Sequence, residues 1–144
     1  MMSRITLVGV AALCAVAVSR PVMAQGGAMK WTATLAPQGD SKISGTATVE
    51  PGKTAGTTMV MVSISGGAPG TTYPWHVHTG KCGGGGVWGA ATAYKPIKVG
   101  SDGSGKGTAT ISEAPPSSGD YHVNIHDPKT MAAAACGDLA MAGM

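Results

Sequence analysis

The chain has 144 residues, of which 12% are charged, and a formal net charge of +3. That length suits one domain, and so mild a charge gives no reason to propose nucleic acid or an anionic membrane as a partner. There is no phenylalanine, against 23 glycines and nine prolines, so bulky packing falls to the tryptophans and tyrosines, and turns are frequent.

Residues 1–24 read as a secretory signal peptide. Arg4 heads an apolar run from Ile5 to Val18, and Val22-Met23-Ala24 supplies small residues at a cleavage site. The run is short for a membrane span. Cys14 follows Leu13, where a lipid-anchor signal wants a small residue. We therefore expect a secreted or periplasmic protein without a membrane anchor, and a single domain over residues 25–144. Both arginines, Arg4 and Arg20, leave with the signal. Eight lysines then face seven carboxylates, a net charge of +1. Two cysteines remain, Cys82 and Cys136, and in an exported chain an even pair reads first as a disulfide.

Beyond a loose start at Gln25–Met29, Lys30–Leu35 alternates Trp31, Ala33 and Leu35 as a strand does. A turn follows at Ala36–Lys42. Ile43–Val49 reads as a second strand, weakly packed at Gly45, and Thr57–Ser65 as a third, with Val60, Val62 and Ile64 on one face. Met59 and Met61 sit at strand spacing on the other face and read as packing rather than as thioether ligands. Gly66–Gly70 is a loop. Gly83–Gly86 is a run of four glycines, too permissive for a rigid strand; no Gly-Lys-Ser/Thr follows to make it a phosphate loop. Val87–Pro96 reads as an irregular loop, Ile97–Val99 as a short strand, and Lys106–Ile111 as a longer one. Pro115-Pro116 keeps 113–119 in a loop. Asp127–Ala135 is one helical turn or a loop, and Cys136–Ala140 a terminal strand. Short alternating strands with regular Gly/Pro punctuation and no long period of 3.6 indicate an all-β sandwich or barrel.

Two of these strands carry all four histidines. Trp75-His76-Val77-His78 places both imidazoles on one face, with Trp75 and Val77 on the opposite, core-facing side. Tyr121-His122-Val123-Asn124-Ile125-His126 reads the same way, with Tyr121, Val123 and Ile125 inward. If the strands are neighbours, the histidines form a cluster. No nucleophile–base arrangement suggests hydrolysis.

His76-Val77-His78, then Gly80 and Cys82, then His126 at a strand end, then Ala135-Cys136-Gly137-Asp138-Leu139, together resemble the Cu/Zn superoxide dismutase superfamily. The resemblance runs in order over residues 31–140, but its specific part is these short motifs. It implies a Greek-key β-sandwich or barrel of about seven or eight antiparallel strands. It also implies copper held by His76, His78 and His126, a Cys82–Cys136 disulfide, and superoxide as the partner of the metal. Two departures stand out. The family's bridging histidine and zinc ligands are expected between the first cysteine and the next strand, yet Gly83–Val99 holds no histidine, Asp or Glu; no zinc site is expected. The family's arginine before the second cysteine is replaced by alanines, 132–135. Lys129, the nearest cation, is a poor geometric substitute.

Gly119-Asp120-Tyr121-His122-Val123-Asn124-Ile125-His126 is also similar to the Tyr-Val-Asn-Val-His core of chordin-repeat (CHRD) domains, although the closing Gly-Glu-Ile-Arg-Gly of that family is missing. His122 has no counterpart in the superoxide dismutase pattern. Four residues from His126, it lies about 13 Å away along an extended strand, so we expect a surface histidine or, at most, an accessory one. Asp127 is a candidate to orient an imidazole, against the plainer expectation that it begins a turn. Three functions follow: a copper-binding superoxide dismutase-like protein with weak or no activity, an active copper-only dismutase, or a metal-free CHRD-like extracellular binding or structural module.

Overall fold

The computed structural model describes residues 29–143; the expected signal segment, 1–24, lies outside the described residues. Ten strands form: β1 (Trp31–Pro37), β2 (Ser44–Pro51), β3 (Thr58–Ser65), β4 (Thr72–Tyr73), β5 (Trp75–Thr79), β6 (Ile97–Lys98), β7 (Gly105–Ile111), β8 (Tyr121–His126), β9 (Ala133–Asp138) and β10 (Ala140–Met141). The helical content among the described residues is one short 3₁₀ turn at Ala91–Ala93. The all-β expectation holds. Eight strands make one antiparallel sheet in the order β5-β8-β9-β1-β2-β3-β7, with β10 beside β1, curled into a half-barrel.

Alternation decides which face of the curled sheet is buried. In β1, Trp31, Ala33 and Leu35 are buried while Thr32 and Thr34 are exposed. In β3, Val60, Val62 and Ile64 face inward and Met59 and Met61 lie half-buried outside. β1–β2–β3 is a meander, after which the chain crosses to the far edge for β5, returns for β7 beside β3, and crosses again for β8 beside β5. These long crossovers are of Greek-key type. β1 serves both halves: its first residues pair with β10 (Trp31↔Met141) and its last with β9 (Ala36↔Cys136).

Two glycines inside strands have packing reasons. A Cβ at Gly45 would run into the Ser63 carbonyl, so β2 and β3 approach there more closely than any side chain would allow. This corrects the expectation of a merely weak spot. A Cβ at Gly107 would meet the Trp75 indole at 2.9 Å and Ile97 at 2.7 Å. Trp75 is fully buried, and its Nε1–H donates to the Lys95 carbonyl at 2.8 Å. Its ring reaches from β5 to β7 and fills the gap between the two edges of the sheet. The small β4–β6 ribbon lies in the same connecting region.

Candidate metal centre

β5 and β8 are neighbours, paired Trp75↔Ile125, His76↔Asn124, Val77↔Val123, His78↔His122 and Thr79↔Tyr121. Residues directly opposite in an antiparallel pair project to the same face. Trp75, Val77, Val123 and Ile125 are all buried in the core. The histidines therefore share the other face, as the period of two implies.

His126 ends β8 beside an irregularity in the neighbouring strand. Ile125 pairs with Ala135 but His126 pairs with Ala133, so β9 carries one extra residue at this point. Such a bulge bends the strand that carries it, here β9. His126 Nε2 comes to 3.4 Å from His78 Nε2, and His76, His78 and His126 each offer a ligand atom within 4.8 Å of the others. His76 and His78 are half-buried and His126 is buried.

These residues fit a metal ion. Two imidazole nitrogens about 2.0–2.1 Å from one tetrahedral ion stand about 3.3–3.4 Å apart, which is the observed His78–His126 separation. His126 Nδ1 donates to the Met131 carbonyl at 3.1 Å, so the neutral ring carries its lone pair on Nε2, aimed at His78. His76 Nδ1 is buried and has no hydrogen-bond partner; a cation would satisfy it. Three histidines can hold a metal here.

The electrostatics favour the metal-ready form. Burial lowers the pKa of His76, with His126 adding to the effect. Burial also lowers His78, helped by His122, His126 and His76, down to about 4, although the Gly85 backbone pulls it upward. Burial lowers His126 as well; its bond to the Met131 carbonyl opposes this and His122 adds to it. At neutral pH all three rings are neutral, the state in which imidazole binds metal.

His122 is not the surface residue the sequence suggested. It is fully buried. Its Nδ1–H donates to the Gly80 carbonyl at 2.8 Å, and its Nε2 accepts from the Asn124 amide at 3.3 Å. Its ring stacks on His78 with centroids 5.1 Å apart and planes 13° from parallel. It stands outside the three-histidine group and supports one member of it. The sequence could not reveal this, because the contact is set by the register of β5 on β8 and by the chain that folds over them.

That chain is the stretch from Thr79 to Trp88. Thr79 N–H donates to the Gly86 carbonyl, Trp88 N–H to Val77, and Gly80 N–H to Asp120, and Val87 bridges to His78. Gly85 has φ +71, and a Cβ there would run into the Thr79 carbonyl; glycine is required for this turn. Cys82 is joined to Cys136 by a disulfide, and its N–H donates to Asp138 Oδ1 at 2.7 Å. The strap is thus tied to β9 as well as to β5. Asp127 does not touch His126; its carboxylate accepts the N–H groups of Lys129 and Thr130, as a turn-starting residue does. These donors hold its pKa below the usual carboxylate range, Thr130 contributing most.

Tyr94, also missed as a site residue, packs edge-on against His76 at 5.4 Å and against Trp75 at 5.1 Å. Its hydroxyl donates to the Trp88 carbonyl, and burial raises its pKa. It links the metal-site face to the closing tryptophan. Neither known family models nor curated proteins match this sequence.

Proposed function

We propose that this chain is an exported, superoxide dismutase-like protein that binds one copper ion through His76, His78 and His126 and has weak or no dismutase activity. The observation that carries the metal reading is the convergence of three imidazoles whose ligand atoms lie within 4.8 Å of one another. Copper is preferred over zinc because a given nitrogen site holds Cu²⁺ more tightly along the first-row series. Three neutral imidazoles also leave room for a further ligand. The likeness of His76-Val77-His78, Cys82, His126 and Cys136 to the superoxide dismutase pattern supports the same choice, as does the antiparallel, curled sheet. Export is read from residues 1–24 and from the cysteine pair.

Weak activity is inferred from what accompanies the metal. A fast dismutase draws a small anion to its metal with fixed positive charge, and no arginine occurs between residues 25 and 144. The ion, when bound, would supply the electron exchange; the chain's own histidines would hold it.

Copper titration of the purified chain, freed of metal, tests the reading. One equivalent should bind, and His76→Ala should abolish the site. Binding that survives this substitution undiminished, or a stoichiometry other than one, would overturn it. If copper is bound and the superoxide rate approaches the diffusional limit, the copper-only enzyme becomes the better reading.

A further inference from the structure

His126 ends β8, and the chain turns at once through Asp127–Ala132. This turn is closely tied. Asp127 Oδ1 accepts from Lys129 N–H at 2.8 Å, from Thr130 N–H at 2.9 Å and from the Thr130 hydroxyl at 3.2 Å. Met131 N–H donates to the Asp127 carbonyl at 2.9 Å, and Asp127 N–H to the Ala132 carbonyl at 2.8 Å. Ala132 N–H donates to Thr130 Oγ1 at 3.3 Å. Met131 has φ +59 and is the one non-glycine residue with positive φ among the described residues. An L side chain adopts this conformation only where its surroundings impose it. The result of that conformation is the Met131 carbonyl 3.1 Å from His126 Nδ1.

We propose that Asp127 is a positioning residue for His126. It clasps residues 127–132 so that the Met131 carbonyl holds the proton on His126 Nδ1 and leaves the lone pair of Nε2 facing His76 and His78. The proposal rests on the three-histidine metal reading and adds to it the group that sets the tautomer of one ligand. A neutral imidazole carries one N–H, and the hydrogen bond made by one nitrogen decides which nitrogen is free for a metal. The clasp works through backbone: the carboxylate organises the turn, the turn forces Met131 into the left-handed region, and the carbonyl orients the ring. The clasp fixes the ring with Nε2 3.4 Å from His78 Nε2. The Asp127 carboxylate, bonded to Lys129 and Thr130, therefore acts on the ring of His126 through the turn and not by a hydrogen bond of its own.

The test reads the tautomer directly. Long-range ¹H–¹⁵N spectra of the ¹⁵N-labelled, metal-free chain should show His126 protonated on Nδ1. Asp127→Ala should give a mixture of tautomers at His126 and lower the affinity for Cu²⁺, and for Zn²⁺ as a second probe, by about tenfold. Asp127→Asn, whose side-chain oxygen accepts the same N–H groups, should restore both to within about threefold of wild type. A second pair of variants acts on the carbonyl without touching Asp127. Met131→Gly takes positive φ freely and should keep the tautomer and the affinity, while Met131→Val resists it and should lose them. Nδ1 unprotonated in the wild type overturns the proposal, as does an Asp127→Ala variant unchanged in tautomer and affinity. An Asp127→Asn variant as impaired as Asp127→Ala also overturns it, by assigning the effect to charge. A wild type that takes up neither metal would overturn the ligand reading instead, and the clasp would then be decided by the tautomer alone.

Discussion

At the scale of single residues, the four histidines divide into ligand candidates and a support. His76, His78 and His126 converge, whereas His122 lies fully buried against His78, bonded on both nitrogens. His76→Ala should remove metal binding. His122→Ala should leave one site but strip the Gly80 carbonyl and the Asn124 amide of a partner, costing about 1–3 kcal/mol of stability. Thermal melts beside a metal titration separate the two effects; equal loss of metal from both variants would refute the assignment. The lowered imidazole pKa values carry a pH dependence of definite sign. A histidine held near 4 when folded and near 6.5 when unfolded takes up protons more readily in the unfolded chain. Metal-free stability should therefore be intact above about pH 6.5 and fall as pH drops from there toward 4, with His76 and His126 acting in the same direction. Urea midpoints across that range check it, and a flat profile would contradict the burial of these rings.

At the scale of elements, the strap from Thr79 to Trp88 covers the histidine face, and its geometry depends on Gly85 and on the disulfide. Gly85→Ala would force a side chain into positive φ and into the Thr79 carbonyl. We expect it to loosen the strap and weaken metal binding while β1–β3 stay intact; native-state hydrogen exchange would show protection lost at 79–88 alone. The disulfide spans 54 residues of sequence. By the chain-entropy model its loss costs about 4 kcal/mol, which a Cys82→Ala, Cys136→Ala double variant should show as a lower urea midpoint. An unchanged midpoint would mean that the strap is held by its hydrogen bonds. Most of the strand pattern was legible beforehand. β3, β7 and β8 lie within a residue of the expected spans, because alternation and Gly/Pro punctuation report burial directly. The strap's role was not legible: four glycines say that a chain can turn, not what it covers.

At the scale of the whole molecule, the half-barrel brings β5 and β8, 46 residues apart from His76 to His122, into one ladder and closes its open side with Trp75 against Gly107. The net charge that could steer an anion to the site is small. Eight lysines and seven carboxylates remain beyond residue 24, and the cation of the strap, Lys81, is 3.6 Å from Asp120 in an exposed pair. We expect the copper-loaded protein to react with superoxide far below the diffusional ceiling of about 10⁸–10⁹ M⁻¹s⁻¹. Pulse radiolysis on protein cleared of loosely held copper measures this; a rate near the ceiling would refute it and direct attention to Lys81 and Lys129.

What the sequence alone determined was everything that depends on local period. Strand identity, the common face of His76 and His78, and the all-β class follow from side chains alternating along a pleated backbone. The tertiary structure decided what depends on register and on covering. The antiparallel pairing of β5 on β8, which leaves His126 Nε2 3.4 Å from His78 Nε2, is a register that no period predicts. The burial of His122 arises because its strand has both faces covered, one by the core and one by the strap. A histidine with an exposed face and one with a covered face look identical in sequence, since the residue type is set by its chemistry and the covering by a segment that crosses it from elsewhere in the chain.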